Sequence, residues 1–165
     1  MHRFPRPSLI AATFLAAFCA AQHAGATVAP SDPCSLLTTT DLNTATGQSY
    51  AAPTKSTAPR PYKNTVEGTD CHYEPSGKGS SLLFRIYFDN SPDEATGLFA
   101  KLKMFYSPPT PVSGIADDTY LDPSHAIHAR KGNVRYFLQL SDMRINTSAK
   151  EQQLESLATL ITGRL

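Results

Sequence analysis

Apolar and polar residues alternate between positions 80 and 89, and this is the clearest pattern in the chain. Alternation with a period of two is typical of a β-strand that buries one face. It predicts a strand from Ser80 to Asp89 with two faces: Leu82, Phe84, Ile86 and Phe88 on one, and Leu83, Arg85 and Tyr87 on the other. Further strands are predicted, with a hairpin turn at Lys131-Gly132 joining the last two: Asp70–Glu74, Thr119–Leu121, Ala126–Arg130 and Asn133–Leu140.

A helix is predicted to begin at Ser91-Pro92-Asp93-Glu94. This sequence is typical of a helix start, with Ser91 as the N-cap and Glu94 reaching back to it. The apolar stripe that follows ends at a run of prolines: Ala95, Leu98, Phe99, Leu102, Phe105 and Tyr106. A C-terminal helix has its own stripe: Leu154, Leu157, Ala158, Ile161 and Leu165. A short N-terminal helix is predicted from the start signals at Asp32-Pro33 and at Thr38.

This order of elements predicts an α+β fold in a single domain. Consecutive strands joined by short turns form an antiparallel sheet, and the two amphipathic helices and the short N-terminal helix are expected to pack on it. Residues 48–68 are rich in Pro, Thr and Ala. We expect them to form a surface segment that includes a short edge strand.

The first 26 residues have the composition of a secretory signal peptide. Arg3 and Arg6 supply positive charge, residues 9–20 are apolar, and Ala24-Gly25-Ala26 fits a cleavage site. One alternative is a lipoprotein signal acylated at Cys19, but the residue before a lipidated cysteine is normally small and here it is the bulky Phe18. Another is an uncleaved membrane anchor, but the apolar run is too short to span a bilayer. We expect residues 1–26 to be removed and residues 27–165 to form an exported domain, periplasmic or secreted.

Three cysteines are present. Cys19 is either removed with the signal peptide or becomes the lipidated residue. In both cases Cys34 and Cys71 are the two cysteines that can pair with each other. An oxidising compartment favours a disulfide between them, which should contribute roughly 3 to 4 kcal/mol by constraining the unfolded chain. A redox or metal-binding role is the alternative, but the pair lacks a C-x-x-C spacing.

The charge balance excludes several classes of partner. Loss of Arg3 and Arg6 leaves 15 − 2 = 13 basic residues against 14 acidic ones, a net charge of −1. Nucleic acids and anionic membranes require clustered Lys and Arg, so neither is expected as a partner. The exported part contains no apolar run long enough to span a bilayer, and we expect a monomer.

Five short segments occur in a characteristic order: D-P-C-S-L-L-T-T-T-D-L (32–42), C-H-Y-E-P (71–75), V-S-G-I-A-D-D-T-Y (112–120), H-A-R-K-G-N-V (128–134) and L-A-T-L-I-T-G-R-L (157–165). Together they resemble the domain-of-unknown-function family of small actinobacterial cell-envelope lipoproteins. The resemblance implies a small α/β sandwich in which Cys34 and Cys71 are disulfide-bonded, and a typical member has no assigned activity.

The chain departs from that family in two places. It lacks the usual lipobox, which favours a free periplasmic or secreted protein over a lipid-anchored one. It also has Ile115-Ala116-Asp117-Asp118 where the family prefers a second glycine, which leaves the turn geometry there open.

Six residues are candidate metal ligands: His72, His125 and His128, and Asp117, Asp118 and Asp122. The histidines could share a metal only if the fold gathers them, and surface or sheet roles are the more ordinary interpretation. The aspartates lack the spacing of a calcium loop, so turn and cap roles are expected. The motifs G-x-S-x-G and H-E-x-x-H are absent, as is a phosphate-binding glycine loop. We predict no catalytic residue, no metal ligand and no cofactor.

Three functions remain open. The preferred one is a non-catalytic exported domain that binds a small ligand or an envelope component. The second is a secreted interaction module, such as an inhibitor or sensor, that presents the Pro-rich segment or the Lys131 hairpin to a protein partner. The third is a hydrolase with an unrecognised site, for which a cleft holding a histidine and a carboxylate within hydrogen-bond reach would be the sign.

Overall fold

The computed structural model describes residues 26–141 and 147–165. The predicted signal peptide therefore lies outside the described residues, apart from Ala26 at its end. In chain order the described elements are a 3₁₀ turn (Pro33–Leu36), α1 (Thr39–Thr46), β1 (Thr54–Ala58), β2 (Gly68–Tyr73), β3 (Leu82–Phe88), α2 (Pro92–Phe105), β4 (Thr110–Pro111), β5 (Asp118–Leu121), β6 (Ile127–Lys131), β7 (Val134–Leu140) and α3 (Thr147–Arg164).

The strands form one seven-stranded sheet in the order β1-β2-β3-β7-β6-β5-β4, and every neighbouring pair is antiparallel. The two halves of the chain meet at the centre, where β3 pairs with β7 and sets Phe84 opposite Leu138 and Arg85 opposite Phe137. The predicted antiparallel α+β fold in a single domain is confirmed. β4 is a two-residue strand that the hydrophobic pattern did not predict.

One face of the sheet, which we call the core face, is apolar. Its side chains come from alternate positions of the central strands and pack against the 3₁₀ turn, α1 and α3; among them are Cys71, Phe84, Ile86, Tyr136 and Leu138. The α3 stripe of Leu154, Leu157, Ala158 and Ile161 closes this face and is fully buried. Burial of this size is the main source of a small domain's stability.

The predicted disulfide is present at one edge of the core face. Cys34 and Cys71 are bonded, with their Cα atoms 5.7 Å apart and 37 residues between their positions in the sequence. Asp32 caps the 3₁₀ turn that carries Cys34, accepting a hydrogen bond from the Cys34 backbone N–H at 3.3 Å. Tyr73 reinforces the link, since its hydroxyl donates to the carbonyl of Cys34 at 3.0 Å.

The opposite face, which we call the cavity face, carries the intervening residues: Asp70, Arg85, Tyr87, Tyr120, His128, Arg135 and Phe137. α2 packs on it, beginning at the predicted N-cap Ser91, whose hydroxyl accepts from the Glu94 N–H at 3.1 Å. Phe99 of α2 meets Tyr120 edge to face at 5.2 Å. The predicted stripe is wrong at Phe105, which is 79% exposed, although the next residue, Tyr106, contacts His128 of the sheet with ring centroids 5.0 Å apart.

The Pro-rich segment, residues 48–68, contains the predicted edge strand, which is β1. After β1 the chain passes over the cavity face, where the Tyr87 hydroxyl donates to the carbonyl of Pro59 at 3.0 Å. It returns to the sheet at Gly68, where a Cβ would lie 2.7 Å from the Ile86 carbonyl and from the Tyr87 ring. Only glycine allows the backbone this close to β3. Among the described residues, no helix combines the length and the apolar composition needed to cross a membrane.

Candidate functional site

A cavity of about 170 Å³ lies on the cavity face. Its floor is formed by β3, β7 and β6 at the centre of the sheet. One wall is the C-terminal half of α2, through Leu102 and Tyr106, and the other is the segment after β1, through Pro59 and Pro61. The cavity exists because α2 covers only part of this face, whereas α1 and α3 together close the core face.

Two arginines in the floor are each held by a carboxylate. Arg135 of β7 donates to Asp89 through Nε at 2.5 Å and through Nη2 at 2.9 Å, with 2% of the arginine side chain and none of the aspartate exposed. Arg85 of β3 donates to Asp70 through Nε at 2.6 Å and Nη2 at 2.8 Å. Both pairs are bidentate, the geometry that fixes a guanidinium most firmly.

One nitrogen of the Arg135 guanidinium, Nη1, is not bonded to Asp89. It is buried and has no hydrogen-bond partner among the described residues. The ring of Tyr87 lies under the group, 4.8 Å from the Arg135 Cζ, so the face of the guanidinium is stacked while its outer edge is not engaged. Buried polar atoms in folded proteins nearly always have a partner, so this one requires an explanation.

The charges that line the cavity are all of one sign. Arg60, Arg85 and Arg135 line it together with His128, and among the residues that the structure describes no carboxylate does. Asp89 and Asp70 lie behind their arginines, away from the opening, with 0% and 8% of their side chains exposed. A molecule in the cavity would therefore meet hydrogen-bond donors and aromatic rings rather than acidic groups.

His128 occupies one side of the cavity in an aromatic stack. Its ring lies parallel to that of Tyr120, with centroids 4.7 Å apart, and contacts Phe137 at 4.8 Å and Tyr106 at 5.0 Å. Tyr120 is itself fully buried, and burial raises the pKa of its hydroxyl. This packing fixes the plane of the imidazole, as a binding or proton-transferring histidine requires.

Asp122 orients the same histidine from behind. Its Oδ2 lies 3.0 Å from His128 Nε2, and its Oδ1 accepts from the backbone N–H groups of Ser124 at 2.8 Å and Ala126 at 3.1 Å. Burial alone would raise the pKa of Asp122, but hydrogen bonds from His128, Ser124 and Ala126 outweigh it and lower the pKa to about 2. Asp122 is thus held as a carboxylate beside the imidazole.

The structure does not gather the six candidate metal ligands into one site. His72 is exposed on β2, and His125 Nδ1 lies 2.7 Å from Glu151 of α3. Asp117 accepts hydrogen bonds from Arg130 and from the Gly132 backbone, while Asp118 pairs with Lys103 at 2.9 Å. Within residues 26–141 and 147–165, no three His, Cys, Asp or Glu residues come together as a metal site.

Sequence reasoning missed the floor of the cavity. Arg85 and Arg135 each stand among apolar residues in a strand, in the segments Phe84-Arg85-Ile86 and Val134-Arg135-Tyr136. Arginine is seldom buried unless it is paired, so an arginine at the centre of an apolar strand is a usable signal for a buried ion pair. Of the predicted candidates, only His128 lines the cavity, and Asp122 reaches it through His128.

A second concavity, between α1 and α3, is larger at about 700 Å³ but chemically plainer. Thr44, Ser156 and Thr159 contribute short polar side chains to it. None of the described buried polar atoms that lack a partner belongs to its lining. The cavity over β3 and β7 is therefore the better candidate for a specific site.

Comparison with known proteins adds no assignment: no protein-family model, no curated protein and no solved structure matches the chain. The resemblance to envelope lipoproteins stays a prediction, and the site is interpreted from its own geometry.

Proposed function

We propose that this protein is an exported, non-catalytic domain that binds a small ligand in the cavity over β3 and β7. One observation carries the proposal: a preformed concavity in which apolar walls surround a few fixed polar groups, the usual composition of a ligand site. Tyr106 and Phe137 supply apolar surface, while Arg135 and His128 are held rigidly by Asp89 and Asp122. Rigid polar groups lower the entropy cost of binding.

Export is supported by two independent features. The first 26 residues have the pattern of a cleavable signal, and Cys34 and Cys71 form a disulfide, which persists in oxidising compartments. The resemblance to actinobacterial envelope proteins agrees with a periplasmic or secreted location. A ligand met there would be a small molecule of the envelope or of the medium.

A hydrolase is the second candidate, because His128 lines the cavity and Asp122 lies behind it, 3.0 Å from its Nε2, the arrangement of an oriented general base. Nδ1, the imidazole nitrogen not facing Asp122, makes no hydrogen bond with the described residues. Within residues 26–141 and 147–165, the lining includes no serine, threonine or cysteine to serve as a nucleophile. Such chemistry would need water activated by the histidine, and binding without reaction is the simpler function for this lining.

Ligand-observed NMR with ring-sized fragments, both neutral and anionic, tests the proposal on protein expressed as the full chain through a secretory route. We expect fragments to bind the wild type and Leu102→Trp, which fills the cavity, to weaken that binding at least about tenfold. Ala100→Trp adds the same side chain at an exposed position of α2 and should leave binding unchanged. If no fragment binds, or if the Leu102→Trp variant binds fragments as tightly as the wild type does, the cavity is not a ligand site. If the protein hydrolyses fragment esters and this activity depends on His128, the hydrolase is supported instead.

A further inference from the structure

The donors in the cavity indicate which chemical class of ligand it takes. We infer that the ligand is a ring-sized apolar group bearing an oxyanion, with a carboxylate as the simplest form, and that Arg135 Nη1 donates to this oxyanion. The inference rests on the proposed ligand-binding function, and it adds the charge and size of the ligand to it.

Arg135 provides the strongest reason. Asp89 occupies Nε and Nη2, and it approaches from the side that is completely buried. Arg135 is one of the residues that line the cavity, and its Nη1, which carries two further N–H groups, is buried and lacks an acceptor among the described residues. A donor that is buried and fixed but unpaired is unfavourable for the empty protein, and an acceptor brought by a ligand would remove that penalty.

The surroundings favour an anion over a neutral acceptor. Arg85 lies diagonally across from Arg135 in the register of β3 and β7, within reach of the same ligand, and about a third of its side chain is exposed. Arg60 adds a third guanidinium at the opening, where its Glu67 partner is 55% exposed and the pair is open to solvent. Guanidinium groups bind carboxylates and phosphates more strongly than neutral acceptors because the hydrogen bonds are charge-assisted.

The volume sets the size of the apolar part. A cavity of about 150 Å³ is known to hold one benzene ring, and this cavity has about 170 Å³. Tyr106 and Phe137 provide faces and edges against which a ring can stack. An aromatic carboxylate such as benzoate has both the required size and the required charge at one end.

The test compares three probes that share one benzene ring, namely benzoate, benzamide and the larger phenyl phosphate, by NMR titration of the wild-type protein expressed as the full chain. We expect benzoate to bind at least about tenfold more tightly than benzamide, which keeps the ring but loses the charge. If phenyl phosphate binds more tightly still, the inference holds and the oxyanion is a phosphate. If benzamide binds as tightly as benzoate, the inference is wrong while the ligand site survives; if none of the three binds, both fail.

An arginine variant tests whether Arg135 is the residue that donates to the oxyanion. Arg135→Lys keeps a positive charge for Asp89 but removes Nη1, and we expect it to lower benzoate affinity about tenfold while benzamide affinity changes less than about twofold. Arg130→Lys makes the same exchange at an arginine that pairs with Asp117 outside the cavity, and should change neither. Equal loss of benzoate in both variants would remove Arg135 from the site. The comparison of benzoate, benzamide and phenyl phosphate uses the wild-type protein, so its result stays valid even if Arg135→Lys fails to fold.

Discussion

The two faces of one sheet are built from the same strands but by different chemistry. On the core face, Phe84 and Leu138 face each other across β3 and β7, and the disulfide and two helices close the layer. At the next pair of the ladder, Arg85 and Phe137 face each other on the cavity face, under a single helix that covers it only in part. The strand period of two separates the two environments completely.

The two faces therefore have different roles: the core face stabilises the fold, and the cavity face carries the polar groups of the candidate site. Apolar side chains buried on the core face are the main source of the stability of the fold. On the cavity face, Arg135 and Asp89 are as deeply buried as the core residues, although burying an ion pair contributes little net stability and is often less favourable than apolar packing. A charged pair retained at such a position is better explained by what it presents to the cavity than by what it adds to folding.

The largest effect should come from breaking that buried pair. Asp89→Asn leaves the Arg135 charge buried without its carboxylate, and we expect the free energy of unfolding to fall by about 4 kcal/mol. Asp70→Asn removes the partner of Arg85, 31% of whose side chain is exposed and can reach water, so the loss should be about 1 kcal/mol. Urea denaturation of the two variants measures both values. Equal losses would mean that the two arginines of the cavity face are equally accessible to solvent, contrary to the structure.

A matched pair of leucines compares the faces through apolar contacts alone. Leu138→Ala opens a hole in the core face, where this side chain is fully buried, and should cost about 3 kcal/mol. Leu83→Ala makes the same truncation at a half-buried position of the other face, and should cost about 1 kcal/mol. Thermal and urea unfolding both report this difference. A Leu83→Ala loss as large as that of Leu138→Ala would show that the cavity face is also a main source of stability.

How much of this arrangement the sequence predicts depends on how local the cause is. The faces of β3 follow from alternation alone, because the pleat fixes the period, and the disulfide follows from there being two cysteines after the predicted signal peptide. The start of α2 at Ser91 is likewise a local hydrogen-bonding pattern. These features are decided within a few residues of the chain or by redox conditions, so a single sequence is enough.

The cavity is different because its cause is not local. The bond between Arg135 and Asp89 spans 46 residues and depends on the register that sets Phe88 opposite Val134. The sequence offers 14 acidic residues as partners for a buried arginine, and nothing in the strand pattern selects one. Phe105 illustrates the same limit, since helical spacing assigns it to the apolar stripe, whereas in the folded protein its side chain is exposed to solvent.

The smallest expected effect concerns pH, and it tests whether Asp122 is as firmly held as the buried pair. The folded protein lowers the pKa of Asp122 from an ordinary 3.8 to about 2, so this carboxylate stabilises the fold above pH 4 and loses that contribution as the pH falls through 2. One pKa unit corresponds to about 1.4 kcal/mol, so a shift of nearly two units limits the contribution to roughly 2 to 3 kcal/mol. The free energy of unfolding of Asp122→Asn should therefore fall less steeply than that of the wild type between pH 4 and pH 2, whereas Glu74→Gln, which removes an exposed carboxylate, should follow the wild type. Parallel curves for the wild type and Asp122→Asn would mean that His128 is not oriented by a charged Asp122, and the cavity face would then keep only its arginines as fixed polar groups.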